Sequence, residues 1–528
     1  MTSVARLRGR RAARQGAWIP LAVLPFAAAA ARTGVPATGT DRGEAIYRRA
    51  LDSAGRPLRA VVSRDVRMAG PAAACTACHS RSGFGSFEGT TAAPPVIGRV
   101  LFAPRAGGAA SRPAYDVAGL GRALRDGIDP AGRTLSPLMP RYDLADAEVE
   151  QLARYLSELS ATLSPGVDAT TLHLATVVTP DSDPQVRKDT LEVLHAFVRG
   201  KNARTRGEGR PGKRDSGFRE WRLAVWALKD PEQDWPAQLE RLYRAQPVFA
   251  LVGGAGGTRW EPVHDFCERH GIPSILPNLD VLPEKAGQGF YNLYFSPGLA
   301  VEAAAVASAV ASRPGARTVQ VLDDAVAAVE SAARDLRSAL AARGVSPAVD
   351  VQLGSPASLA PALEGASDVV LWLRGEALAR ALRQLSGSRS EATLYLSATL
   401  LGEETPVLPA GWAARTVVAR PYALPPEVER RFRRTSAWLR GQGIAAGDAR
   451  TQDQTLSACS VLAESLVHAG VELVRDYVVE RIDHGGGMQQ LSSYYRSLAF
   501  GPSQRILSRG CYLVSAESGA AAPAWVIP

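Results

Sequence analysis

Cysteine and methionine are scarce in this chain: five cysteines and four methionines in 528 residues. So few cysteines exclude a small disulfide-stapled scaffold. So few methionines leave Met1, Met68, Met139 and Met488 as the whole supply of thioether sulphur. Long apolar runs are missing as well. Beyond the first 31 residues the best candidate for a membrane span, residues 299 to 311, is short of the roughly 20 apolar residues a span needs and contains Glu302. Acid is absent from residues 1–16, which carry Arg6, Arg8, Arg10, Arg11 and Arg14, so removing these five from the formal charge of +9 leaves +4. That remainder does not call for a nucleic-acid partner.

What is present is a globular composition, 46% hydrophobic and 21% charged, over a length that predicts several domains. Residues 17–31 (AWIPLAVLPFAAAAA) follow the arginine-rich start, are broken by Pro20 and Pro25, and end in small residues. This is the form of a secretory signal peptide, residues 1–31, with cleavage expected near Ala31 and a periplasmic destination for the rest. The first cysteine is Cys75, so no lipid anchor on a mature amino-terminal cysteine is expected.

Residues 75–79 read CTACH. Two thiols two residues apart on a helical turn match the two vinyl groups of a porphyrin, and the following imidazole reaches its iron, which is the attachment pattern of a c-type haem. A CxxC pair also serves as half a zinc site or as a redox disulfide, although no further zinc ligands are evident nearby. For a second iron ligand, Met139 lies in LSPLMPRYDL, where Pro137 and Pro140 stiffen the loop, with Met68 as a rival and a packing role as the alternative. Arg141 and Tyr142 could meet a haem propionate, or serve as a solvent-facing arginine and a packing tyrosine.

Residues 41–160 resemble a class I cytochrome c domain. The likeness is carried by DRGEAIYRRALDS, CTACH, Pro94-Pro95, RALRDGIDPAGRTLSPLMPRYDL and AEVEQLARYLSEL, in that order. It implies a small all-α, monohaem domain over residues 35–162, with Cys75 and Cys78 as thioether anchors of one haem c and His79 and Met139 as axial iron ligands. Such ligation fills the coordination sphere and favours the ferrous state, so electron transfer rather than oxygen or peroxide chemistry is expected. A periplasmic dehydrogenase or another cytochrome would be the redox partner.

From about residue 170 strands and helices alternate. LHLATVV (172–178), WRLAVWAL (221–228), VFALVGG (248–254) and IPSIL (272–276) are followed by TVQVL, VDVQL, DVVLWL, ATLYLS and TVVA between 318 and 419. Strands separated by helices predict two successive parallel α/β sheets, hence two lobes with a ligand cleft between them. Residues 170–515 resemble a type I periplasmic binding protein of the branched-chain amino-acid and amide receptor group. The matching segments are DSDPQ, VFALVGGAGGTRWEPVHDFCERHGIPSILP, FYNLYFSPGLAVEAAA and FGPSQRILSRGCYLV. The resemblance implies a two-lobed solute-binding fold in which the Gly-rich turn Gly253 to Thr258 faces a ligand. Gly257, Thr258, Trp260 and Asp280 are the candidate cleft residues, beside the alternative of a capping threonine, a packing tryptophan and a surface aspartate. Residues 516–528 are expected to form a carboxy-terminal tail.

The GGAGG string fits neither GxGxxG nor GxxxxGK[ST], so no dinucleotide or phosphate loop is expected. RGKNARTRGEGRPGKR (199–214), with seven basic residues against one acid, is expected to be a solvated loop, docking of an acidic redox partner being the alternative. Cys459 and Cys511 are left as a possible disulfide with Cys267 over. No nucleophile, base and oxyanion set stands out, so the chain is expected to be a carrier and binder, not an enzyme. Two roles follow: a periplasmic electron carrier with an attached domain for a small solute or partner, or the solute receptor of an ABC-type transporter with an accessory haem domain. An electron-accepting subunit of a periplasmic dehydrogenase is a further alternative.

Overall fold

The computed structural model describes residues 39–528 except 64, 89–90, 109–110, 209–218, 324–325, 354–358, 387–389, 403, 486–490, 497 and 518–522. The expected export segment lies outside the described residues.

In the amino-terminal unit the Gly39–Arg49 and Asp146–Glu158 helices pack together, burying Ile46, Tyr47 and Ala50 against Val149, Leu152 and Leu156. The approach is close at Gly43, where a Cβ would lie 2.3 Å from the Gln151 carbonyl oxygen. A third helix, Val117–Arg125, is capped by Asp116, whose carboxylate accepts from the Gly119 amide at 2.6 Å, and it adds Leu120 and Leu124 to the same core. The unit departs from the all-α expectation. Arg59–Val62 pairs antiparallel with both Val66–Ala69 and Arg141–Tyr142, and a hairpin joins Ser86–Glu88 to Thr91–Ala93. The β-branched pairs in RAVV and the strand around Val66 suit a pleated edge better than a helix. The sheet sets Met68 and Tyr142 on either side of Ala60, so the two methionine-bearing segments are brought together.

The remainder forms the two expected lobes. The first holds a parallel sheet in the order Asn292–Leu293, Ser274–Ile275, Ala250–Val252, Thr171–Val178 and Glu220–Ala227. Helices cover both faces, with Phe249, Leu462 and Val478 on one side and Trp235, Val263 and Phe266 on the other. The second lobe holds Val349–Gln352, Thr318–Leu322, Asp368–Trp372, Thr393–Ser397 and Thr416–Arg420, all parallel. Two antiparallel strands, Cys511–Ser515 and Ala524–Val526, extend its edge. The carboxy-terminal residues are therefore partly a sheet strand rather than a tail: Trp525 stacks edge-on against Tyr512 and covers Gly510, where a Cβ would lie 2.1 Å from its ring.

The chain passes between the lobes three times, near residues 294–299, 420–425 and 507–511. Two of the crossings are bonded together, the Tyr294 amide donating to the Arg505 carbonyl at 2.8 Å and the Leu507 amide to the Tyr294 carbonyl at 3.0 Å.

Two further expectations are corrected. The basic stretch is helical through Glu208, because the Pro184–Glu208 helix continues across Gly200 and Gly207; residues 209–218 are outside the described set. Cys459 and Cys511 do not pair: both are free and buried, one in the core of the first lobe and one in that of the second. Cys267 is likewise free and buried.

Candidate functional site

Two places gather the residues singled out by sequence. The first is a cavity of about 760 Å³ in the amino-terminal unit, a volume within the range of small-molecule and cofactor pockets. Cys75, Cys78, His79, Met68 and Met139 all line it. Cys75 begins and His79 ends a single helical turn, the His79 amide donating to the Cys75 carbonyl at 2.9 Å. The His79 ring has its Nδ1 2.8 Å from the Pro94 carbonyl oxygen. A carbonyl only accepts, so Nδ1 carries the proton and Nε2 keeps its lone pair, as a metal-ligating imidazole requires. Burial lowers the His79 pKa, which favours the neutral ring, and burial raises the Cys75 thiol to about 12.

The loop after His79 is held on several sides. Tyr47 Oη donates to the Ser80 carbonyl at 2.7 Å, and the Gly85 amide donates to the His79 carbonyl at 3.1 Å. Gly85 has φ of +83° and a Cβ there would stand 2.2 Å from the Ala93 carbonyl oxygen, so only glycine fits.

The methionine loop has its own brace. Arg141 donates to the carbonyls of Met139 at 2.6 Å, Leu135 at 3.3 Å and Ser136 at 3.2 Å. The Tyr142 hydroxyl donates to the Ala73 carbonyl at 2.8 Å, just ahead of CTACH. Arg141 thus holds the loop and Tyr142 ties it to the cysteine segment. These residues fit a haem: an apolar cavity, two thiols and an imidazole on one short segment, and a thioether on each of two others. Among the described residues no group of three His, Cys, Asp or Glu comes together as a metal site, so the zinc reading lacks its remaining ligands.

The second place is the cleft at the carboxyl ends of the first lobe's strands, where ligands of open α/β sheets bind. Gly257 and Thr258 are on its wall, but their turn is filled from within the chain. The Thr258 amide donates to Asp181 Oδ2 at 2.9 Å, the Thr179 hydroxyl donates to Oδ1, and Arg259 Nε lies 3.3 Å from Oδ2. Burial raises the Asp181 pKa, but these partners outweigh it and leave the carboxyl below its usual value. A Cβ on Gly257 would stand 2.5 Å from Asp181 Oδ2 and 2.6 Å from the Asp181 carbonyl oxygen, so the glycine makes room for both the side chain and the backbone of Asp181. Gly257→Ala is expected to displace Asp181 and to cost about 1–3 kcal/mol in urea denaturation. The double variant Gly257→Ala/Asp181→Gly should not recover that loss, because the clash with the Asp181 carbonyl remains and the carboxylate's bonds to Thr258 and Thr179 are gone.

Trp260 does not face the cleft. It is 2% exposed and packs beneath the turn, its ring against Gly254 and Gly256, whose missing side chains give it space. Asp280 stands at the crossing between lobes and pairs with Arg450 at 2.7 Å. From there a bonded series reaches into the second lobe: Arg450 donates to the Tyr422 hydroxyl, Tyr422 and Thr399 share a bond of 2.9 Å, and Thr399 donates its hydroxyl to Glu302 at 2.7 Å. Burial pushes Glu302 up to about 7. Arg374 of the second lobe approaches Asp183 of the first at 4.0 Å. Sequence inspection did not place Asp181, Arg450, Tyr422 or Glu302 in the cleft, although two segments noted for their likeness to a family, DSDPQ and FYNLYFSPGLAVEAAA, contain Asp181 and Glu302.

Two α/β lobes joined by three crossings, with a polar cleft at the carboxyl ends of their strands, define a bilobal solute-binding protein. The profile of the family described as periplasmic binding protein matches residues 234–519, more than half of the chain. The chain belongs to the periplasmic binding protein family, and that membership implies a periplasmic location. Among solved structures it is similar to a branched-chain amino acid ABC transporter protein from Thermus thermophilus with bound valine, at 13% identity. That match covers 67% of this chain and 96% of that one with a TM-score of 0.50. A leucine binding protein from Thermotoga maritima is 12% identical, over 68% of this chain and 99% of its own, with a TM-score of 0.46. A solute binding protein from R. palustris in complex with benzoate is 13% identical, over 67% and 95%, with a TM-score of 0.46. No match was found among curated proteins. Among the described residues no helix is long and apolar enough to cross a membrane.

Proposed function

We propose that the chain is a periplasmic solute receptor of the ABC-transporter type whose amino-terminal unit, residues 39–160, holds one covalently attached haem c. Cys75 and Cys78 would be its thioether anchors, with His79 and Met139 as axial ligands. The observation that carries the haem reading is the single apolar cavity shared by CTACH and both candidate methionines, with the His79 Nδ1 proton committed to Pro94. When bound, such a haem, held by Cys75, Cys78, His79 and Met139, would supply one-electron transfer. The chain's own residues orient the imidazole through Pro94 and hold the methionine loop through Arg141. A redox protein of the periplasm would exchange electrons with this unit, and a membrane permease would receive the solute.

For the receptor role, the support is the family and the cleft, and the neighbours named for valine, leucine and benzoate supply the first probes. Because Asp181 already fills the turn at Thr258, a carboxylate ligand would have to be held elsewhere in the cleft. Thermal shifts with valine, leucine and benzoate test this; stabilisation should follow mass action, about 2.7 kcal/mol at a hundredfold excess over Kd. For the haem, the protein secreted through a haem-attaching periplasm should gain the mass of one haem and a low-spin spectrum. Cys75→Ser/Cys78→Ser should lose the covalent haem entirely. A wild-type protein of unmodified mass under competent maturation would remove electron transfer and leave the receptor alone.

A further inference from the structure

The amino-terminal unit is seated on one helix of the binding domain, Arg475–Asp483, and on the turn before it. Glu472, Asp476 and Glu480, one helical turn apart, form a stripe facing that unit. Arg99 pairs with Glu472 at 2.6 Å, and Arg48 and Arg81 reach Asp476 at 3.0 and 3.4 Å. Tyr291, from the first lobe, also donates to Asp476. The Arg81 guanidinium lies over the Phe290 and Tyr291 rings.

Glu480 does something different from its neighbours. It takes both donors of Ser82, the backbone amide at 2.8 Å and the hydroxyl at 2.5 Å. Ser82 is wholly buried, three residues beyond His79. Its carbonyl accepts from the Ser160 hydroxyl at 2.7 Å, and two residues on, Phe84 packs against Tyr477 with ring centroids 4.3 Å apart. The segment 80–85 that follows the candidate iron ligand is therefore clamped between its own unit and a carboxylate of the binding domain. Inside the unit Tyr47 bonds to Ser80 and lines the haem cavity.

We propose that Glu480 is a positioning residue for His79, fixing the 80–85 segment from outside the haem unit and setting the haem potential with its charge. The proposal rests on the haem reading above. An ionised carboxylate beside the unit opposes reduction, because reduction lowers the positive charge on the metal site. Burial pushes Glu480 up to about 7, and Asp476 beside it adds to the rise while Ser82 resists it, so at pH 8 the carboxylate is ionised. Of the other charged groups at the junction, Arg48 and Arg81 face Asp476.

The test uses the full chain after periplasmic haem attachment, as wild type, Glu480→Gln, Glu480→Ala and Ser82→Ala. Glu472→Gln loosens the same junction through Arg99, whose guanidinium lies over the Phe84 ring, while leaving both Glu480–Ser82 bonds in place. Mass reports haem content, thermal melting reports folding, and redox titration at pH 8 with ferric electron paramagnetic resonance reports the iron. Glu480→Gln and Glu480→Ala should raise the ferrous-to-ferric ratio at fixed potential by roughly tenfold, about 59 mV for one electron. Glu480→Ala and Ser82→Ala should also change the g-values, and Glu472→Gln should change neither. If Glu480→Ala fails to mature, Glu480→Gln and Ser82→Ala carry the decision. Haem-bearing variants with wild-type potential and g-values overturn the proposal, as does a Glu472→Gln shift equal to that of Glu480→Gln. A wild type without covalent haem overturns the haem reading and this proposal with it.

Discussion

Met139→Ala is expected to leave the haem attached while removing the thioether-to-iron charge-transfer band. The potential should drop by a sizeable part of the roughly 0.8 V over which axial ligands set haem potentials. Met68→Ala should leave both in place. Both methionines line the cavity, but their supports differ. Met139 sits between Pro137 and Pro140, and Arg141 grips the carbonyls of Leu135, Ser136 and Met139. That guanidinium occupies space left by Gly127, where a Cβ would stand 2.1 Å from Arg141 Nε. Met68 belongs to a sheet strand whose register fixes its backbone against Ala60. Optical spectra and redox titration of the two variants separate the roles, and loss of the band in Met68→Ala instead would exchange the ligands.

The largest effect on stability is expected at Arg505. Its side chain is fully buried, donates to Asp483 Oδ1 at 2.6 Å and to the Phe290 carbonyl at 2.7 Å, and its own carbonyl receives the Tyr294 amide at a lobe crossing. Burial raises Asp483 to about 6 even with Arg505 beside it. Arg505→Ala would leave that carboxylate buried without a counter-charge, a loss of about 3–5 kcal/mol. Native domains hold only about 5–15 kcal/mol, so the urea midpoint should fall steeply. Removing both charges in Arg505→Met/Asp483→Asn should cost less than Arg505→Ala alone, since no unpaired ion then remains.

The second lobe was the most legible part of the chain. TVQVL, read as a strand over 318–322, is the strand Thr318–Leu322, and the strands at 349, 368, 393 and 416 begin within a residue of expectation. Strands buried on both faces are nearly continuous apolar runs, and such runs stand out. In the first lobe VFALVGG contracts to Ala250–Val252, its carboxyl end set by Gly253 and Gly254, both at positive φ. The sulphur and imidazole residues at 75, 78, 79 and 139 were found because their chemistry is tied to local spacing, and they do line one cavity. The cleft was harder. Trp260, a candidate for the cleft with packing as its alternative, packs: Gly254 and Gly256 leave room for its ring to sink into the core. Asp181 reaches its turn across 77 residues and Glu480 reaches Ser82 across 398, and separations of that kind leave no periodicity to read. The strand Ala524–Val526 pairs only with Cys511–Ser515, the strand just before it, and its three residues between Pro523 and Pro528 are too few to show a strand pattern.

The seating of the amino-terminal unit has a consequence for traffic through the molecule. Arg475, on the supporting helix, donates to the carbonyls of Pro165, Val248, Phe249 and His270, all at the amino ends of the first lobe's strands. Asp181, Gly257 and Asp280 lie past the carboxyl ends of those strands. An eight-residue strand such as Thr171–Val178 spans about 26 Å, so the two sites are poles of one lobe. A partner that engages one pole leaves the other uncovered, and the chain has room to be held at both ends at once.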